Sequence, residues 1–291
     1  MIPYTLVVLA LLASNDDVLG GQPLAQEAQE WVWHHDYAQA QRLAKLQRKM
    51  LFIYFESDKP TAALQKFESV TLRDERVREK LRDMVLAKVP LDATIKVDGK
   101  KSKLLDHASF REMLHRPGIA IVDYRSEDPN VNGQVVSEFP FQSNKVQKQD
   151  SLRTILDLPE GTLTQRTMIY AVRMHPETPA STRGTLSNVL ADEAESHSTH
   201  QANIRSQGHH QWESRFHRIN RRLGNGSTSQ EVVAESWPGQ TLVDAAIECV
   251  HSWRQSPGHW SAVRSRHGRF AYDIKRGRNG IWYATGLFAN R

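Results

Sequence analysis

The chain has 291 residues, 39% of them hydrophobic and 24% charged, which is enough apolar content for more than one packed core and excludes wholesale disorder. Its net charge of +5 comes from scattered basic residues, which argues against nucleic acid as the partner. A single cysteine, Cys249, excludes an intramolecular disulfide and any zinc site with two thiolates, so a metal here would have to be held by His and carboxylate.

The first element is the apolar run Leu6–Leu12. A bilayer span needs about 20 such residues, so the run predicts the core of a secretory signal over 1–21, cleaved near Gly20 and Gly21. The leading MIPYT departs from the usual pattern because it carries no Lys or Arg. No later segment has the length or apolarity to span a membrane.

Helical spacing follows over 36–50, with Tyr37, Ala40, Leu43, Ala44 and Leu46 on one side. MLFIYFES (50–57) is a continuous apolar run and predicts a buried strand. A helix is expected over 60–82 with Pro60 in its first turn, then a strand at 84–92, a polar turn at 97–103, a short helix at 107–115 and a strand at 118–124. Asn132-Gly133 predicts a hairpin turn into a strand at 134–139. The alternation argues an α/β sheet flanked by helices.

The aromatic strand LFIYFES, this order of elements, and Arg116-Pro117 ahead of strand 118–124 together resemble the thioredoxin fold over 31–150. The resemblance implies a structural role for Pro117, with a cis bond before it. Where that family has Cys-x-x-Cys, the chain reads Ser57-Asp58-Lys59-Pro60-Thr61-Ala62-Ala63. Disulfide exchange needs a thiolate, so such a domain is redox-inactive and serves as a scaffold or interaction module.

Residues 151–184 read as a junction, with a break at Leu158-Pro159-Glu160-Gly161, a short helix at 163–173 and a Pro-rich stretch at 175–184. Nine of the thirteen histidines lie from His175 onward, which places any imidazole chemistry in the second half. A helix is expected over 185–207; His197 and His200 fall on or beside its apolar face and read as helix-surface histidines. GHHQWESRF (208–216), a Gly-Asn-Gly-Ser loop (224–227) and SQEVVAESW (229–237) come next. A helix over 241–253 lines Leu242, Ala246, Cys249, Val250 and Trp253 on one stripe, making Cys249 a core residue. Two alternating runs around Arg276–Gly280 predict a terminal hairpin with a basic tip, which offers a weaker route to phosphate.

The stretch Trp253-x-x-Ser256-Pro257-Gly258-His259 resembles the signature of the CAP superfamily (cysteine-rich secretory proteins, antigen 5 and pathogenesis-related one proteins), and the likeness in element order extends from about 163, with the core of the domain at 185–291. It implies an α-β-α sandwich with a cleft of two His and two acids. In this chain those positions are His209 (or His210), Glu231, Glu248 and His259, with Trp253, Ser256 and Gly258 structural. Arg215, six residues after His209, fits the family pattern, and Glu231 stands where the family usually reads Gly-Glu-Asn. Glu248 lies about 140° from the centre of its helix's apolar stripe, a position that suits cleft and solvent equally.

Two imidazoles and two carboxylates form an N/O donor set for zinc or another divalent ion. No residue is assigned as catalytic, and no cofactor beyond such an ion is implied. The expected protein is therefore an exported, two-domain α/β chain, more a binding protein than an enzyme. Its partner would be a ligand, a lipid or an extracellular protein. The alternative is a metal-dependent peptide or ester hydrolase working in the same cleft.

Overall fold

The computed structural model describes residues 31–97, 99–142, 145–224 and 226–290, and the expected signal segment 1–21 lies outside them. In the first half, β2 (Leu51–Glu56) is apolar along its length because it is central and covered on both faces. It lies between β3 (Val85–Pro90) and β6 (Gly118–Asp123). With β1 (Trp33–His34) and β7 (Gln134–Pro140) the sheet order is β1-β3-β2-β6-β7. The first three of these strands are mutually parallel, and β6 and β7 each run antiparallel to their neighbours.

Leu51, Ile53 and Phe55 pack one face against Ala40 and Ala44 of α1 (Tyr37–Gln47) and against Phe110 and Met113. On the other face Tyr54 meets Phe67, whose ring lies 4.9 Å from that of Phe141.

Local chemistry sets several boundaries differently from the spacing argument. The expected helix over 60–82 is broken into α2 (Ala62–Lys66), a π-helical turn at Phe67–Thr71 and α3 (Glu75–Leu81). Thr61 caps α2 through Leu64 N, and Asp74 caps α3 through Val77 N at 3.1 Å, so a second N-terminus is built in mid-segment and Pro60 stays outside. The polar turn at 97–103 is a small hairpin, β4 (Thr94–Val97) with β5 (Lys100–Lys103). The 107–115 helix is 3₁₀ over Ala108–Met113 and ends in two left-handed residues, Leu114 and His115. Among the described residues no peptide bond is cis, so Arg116–Pro117 is trans, against the expectation; Pro117 holds the strand start through its carbonyl, which accepts from Phe141 N at 2.7 Å.

The second half is a sheet of order β8-β10-β11-β9: β8 (Thr185–Leu186), β10 (Arg269–Arg276), β11 (Trp282–Asn290) and β9 (Thr228–Glu235). β10 and β11 form the expected hairpin. One face carries α6 (Asn188–Ile204) and α7 (Trp212–Leu223), with Leu190, Ala194, Ile219 and Leu223 against Ala271, Leu287 and Ala289. The other face carries α5 (Leu163–Arg173) and α8 (Leu242–Gln255), and α9 (Pro257–Arg264) lies against β9. Trp253 of α8 is fully buried with its ring 5.7 Å from Tyr272, which anchors that layer. Gly286 makes room for the contact, because a Cβ there would stand 2.6 Å from the Tyr272 ring. The chain is thus mixed α/β throughout.

α5 is shared by the two halves. Its Arg166 is fully buried and donates to the carbonyls of Val136 (3.1 Å), Leu158 (2.9 Å) and Pro159 (2.7 Å), and Tyr170 packs edge-on against Phe139 of β7. Burial pulls the Arg166 guanidinium down to about 10, leaving it charged at neutral pH, and the surrounding carbonyls replace lost water. α4 (Gln149–Leu156) packs on α3, so residues 151–184 divide between both cores, and Val32–Arg291 clusters as one unit. No helix among the described residues is long and apolar enough to cross a membrane.

Candidate functional site

β9 is an edge strand, and its alternation decides where Glu231 goes. Glu231 pairs with Leu287, whose side chain belongs to the core beneath α6 and α7, so the carboxylate points into that layer and is only 1% exposed. An isolated carboxylate there would carry a large desolvation cost, which three neighbours offset. Arg215 of α7 donates from Nη2 to Oε2. His209 places Nδ1 3.0 Å from Oε1, and His197 Nε2 lies 3.7 Å from the same oxygen. Burial pushes the carboxyl up, but the hydrogen bonds from His209 and Arg215 outweigh it and hold Glu231 below its ordinary value.

The loop carrying His209 is tied to α6 on both sides of Gly208. Gly208 N donates to Gln201 Oε1 at 3.1 Å, and His197 Nε2 donates to Gly208 O at 3.0 Å. Gln201 is fixed in turn on Thr285 Oγ1 at 3.0 Å. Arg215 lies over the Trp212 ring, 5.6 Å from its centroid.

His259 arrives from the opposite layer. Ser256 closes α8 and opens α9, Pro257 takes the first helical position and His259 falls in the first turn of α9. Ser256-Pro257-Gly258 is therefore a helix start. His259 reaches past the edge of β9 to His209, with Nε2 to Nε2 at 3.3 Å. An ionised Glu231 takes the proton on His209 Nδ1, which leaves a lone pair on His209 Nε2 to accept from His259 Nε2–H. The sequence Arg215–Glu231–His209–His259 is thus one hydrogen-bonded line from a buried cation to a half-buried imidazole. Burial, then the neighbouring His209, pulls His259 below its usual value, and Glu231 opposes them.

The line opens into a cleft of about 560 Å³ that also takes in Gln230, Ser261, Arg266 and Asn290. Gly258 lines it too. A Cβ at Gly258 would meet nothing within 4 Å, so no contact requires glycine there.

Two expected members are elsewhere. Glu248 accepts from Trp237 Nε1 at 3.1 Å and is not among the residues lining the cleft, because its off-stripe position on α8 turns it toward the exposed loop after β9. His210 places Nε2 3.2 Å from Ser206 O and faces His200 and His197, leaving His209 as the cleft histidine. His197, read from spacing as a surface residue, is 2% exposed, and burial pulls it down to about 4 against the pull of Glu231. It is a buried neutral histidine that braces the loop. The one sequence signal for it was its place at the end of the apolar stripe of α6.

Among the described residues no group of three or more His, Cys, Asp or Glu is arranged to hold a metal ion. Two imidazole Nε2 atoms on one tetrahedral zinc, with bonds near 2.0–2.1 Å, stand about 3.3 Å apart, and His209 and His259 have that spacing. Glu231 occupies the place of the outer carboxylate that orients a ligating histidine, rather than that of a ligand. The residues therefore fit an ion held by two histidines with its other positions left to water or ligand, and do not fit the four-ligand set.

No family model matches the chain, and no curated protein matches it. Among solved structures it is similar to an outer surface protein of Borrelia burgdorferi, at 18% identity and a TM-score of 0.30, over 37% of this chain and 77% of that one. A likeness of that size carries no argument about fold or function.

Proposed function

We propose that the chain is an exported binding protein in which a CAP-type second half presents the His209–Glu231–His259 cleft to a ligand, and a redox-inactive thioredoxin-like first half provides a second interaction surface. The observation that carries this reading is the meeting of His209, Glu231 and His259 in one cleft, from three stretches of sequence far apart in the chain. The three-layer second half supports the CAP-type assignment, and the strand order β1-β3-β2-β6-β7 supports the thioredoxin-like one. The apolar Leu6–Leu12 supports export. Cys249 takes no part in redox chemistry: it is fully buried and its thiol is pushed up by burial.

The 3.3 Å Nε2–Nε2 spacing favours a second reading, in which His209 and His259 hold a divalent ion and the protein is a hydrolase of ester or peptide bonds. Such an ion would supply Lewis-acid polarisation, and in either reading Glu231 fixes the ring of His209 and keeps its Nε2 free. Zinc titration by calorimetry on wild type and His259→Ala tests the ion. Binding at micromolar zinc that the variant loses supports it, and no binding by wild type removes the ion and the hydrolase with it. Wild type that binds zinc but cleaves nothing in ester and peptide panels leaves the binding protein and removes the hydrolase.

A further inference from the structure

A second pocket, of about 310 Å³, lies between the two halves of Val32–Arg291, away from the histidine cleft. Its floor is Glu138 of β7, 1% exposed. Glu138 Oε2 accepts from Glu112 N at 3.2 Å, but Oε1 is buried with no hydrogen-bond partner. Glu112 lines the same pocket, and its Oε2 lies 3.4 Å from Leu242 N at the start of α8. Leu163, Leu242 and Trp282 supply apolar and aromatic wall. The charged group acting on Glu138 is Glu112, and Arg111 lines the same pocket.

A buried carboxylate oxygen without a donor marks a missing partner, since buried polar groups in folded proteins are almost always satisfied. Two carboxylates beside an apolar wall select a compact cation with a hydrocarbon body: the carboxylates take the N–H donors, and Leu163, Leu242 and Trp282 take the hydrocarbon. We propose that this pocket is a binding site for a primary alkylammonium group, seated on Glu138 Oε1 and Glu112. A free small amine and a lysine side chain share that chemistry. Without an occupant, burial and then the charge of Glu112 push Glu138 up to about 8, so the occupant must draw a proton off this carboxyl as it binds.

The test is calorimetry on the full chain with n-butylamine and with Nα-acetyl-lysine amide, using n-butanol as the neutral isostere, at pH 6.5 and 9. The amines stay protonated over this range, because such groups titrate near 10.4. The expected result is binding of an amine but not of butanol, tightening by about tenfold or more from pH 6.5 to 9 as Glu138 ionises, and weakened by about tenfold or more in Glu138→Gln. The ratio of the two amines separates a free ligand from a lysine side chain, and either one binding in this manner sustains the proposal. No amine binding at millimolar concentration, equal binding of butanol, or unchanged binding in Glu138→Gln would overturn it. The pH series on wild type stands by itself if the variant misfolds: affinity independent of pH also overturns it.

Discussion

Glu231 and Glu138 are both carboxylates carried on strands and buried to within 1% of their surface, yet they are held in opposite charge states. Glu231 has Arg215, His209 and His197 around it and lies below its ordinary value. Glu138 has no cation beside it, only the backbone of Glu112 (N at 3.2 Å) and Met113, a second carboxylate nearby and an orphaned oxygen, and lies at about 8. Burial pushes both upward, so the difference comes entirely from what else each strand meets. A carboxylate surrounded by donors becomes a fixed charge that orients a histidine. A carboxylate without them stays neutral until a cation arrives.

The largest effect should come from breaking the paired site. Arg215→Met leaves Glu231 buried without its cation and should cost about 3–5 kcal/mol in urea unfolding at pH 7. A loss below about 1 kcal/mol would mean that Glu231 is far better solvated than its burial indicates.

His197 should give the next largest effect. Its folded value of about 4 lies below the ordinary 6.5, so the unfolded chain binds a proton that the folded chain refuses. Stability should therefore fall as pH drops from about 6.5 toward 4, by about 3 kcal/mol at most. His197→Gln should remove most of that slope, which denaturant midpoints at pH 4.5 and 7.5 would reveal. An unchanged slope would put the proton uptake elsewhere.

Glu138 should behave with the opposite sign. Its folded value is raised, so the folded chain holds a proton that the unfolded chain gives up, and stability declines as pH rises from about 4.5 through 8. Glu138→Gln should be nearly silent near pH 4.5 and stabilising by about 1–3 kcal/mol at pH 8.5. A destabilised variant at pH 8.5 would show that Glu138 is already ionised and paired. The smallest effect belongs to Glu248→Gln. Its hydrogen bond is to Trp237, which is 67% exposed, so stability should change by less than about 0.5 kcal/mol and zinc titration not at all.

The sequence made part of this contrast readable. The strands at 51–56, 85–90 and 118–123 are legible because burial on both faces leaves a nearly continuous apolar run, broken inside a strand only at Lys88. His209, Glu231 and His259 stand in local patterns that a family resemblance exposes. Their meeting through His209 was beyond spacing arguments, because it depends on β9 being an edge strand that a helix start can reach around. His197 was misread for a related reason: position on a helix tells which residues share a face, and not that loop 205–211 folds back over that face. Glu248 was weak by its own angle, since a residue about 140° off the apolar stripe is as well placed for solvent as for a cleft. Thr61 and Asp74 were legible cap signals inside the supposed 60–82 helix that helical spacing overrode. The charged state of Arg166 and the neutral one of Glu138 had no signal at all, because their surroundings are assembled from both halves of the chain.

The central claim is that His259, His209 and Glu231 form one electrostatically coupled line, and imidazole titration of His259 by nitrogen-resolved NMR reads it directly. Burial and His209 lower His259 while Glu231 raises it. The account predicts a wild-type midpoint below the usual histidine value, shifted further down in Glu231→Gln and back up in His209→Gln. Shifts of the same sign in the two variants, or no shift in either, would contradict it.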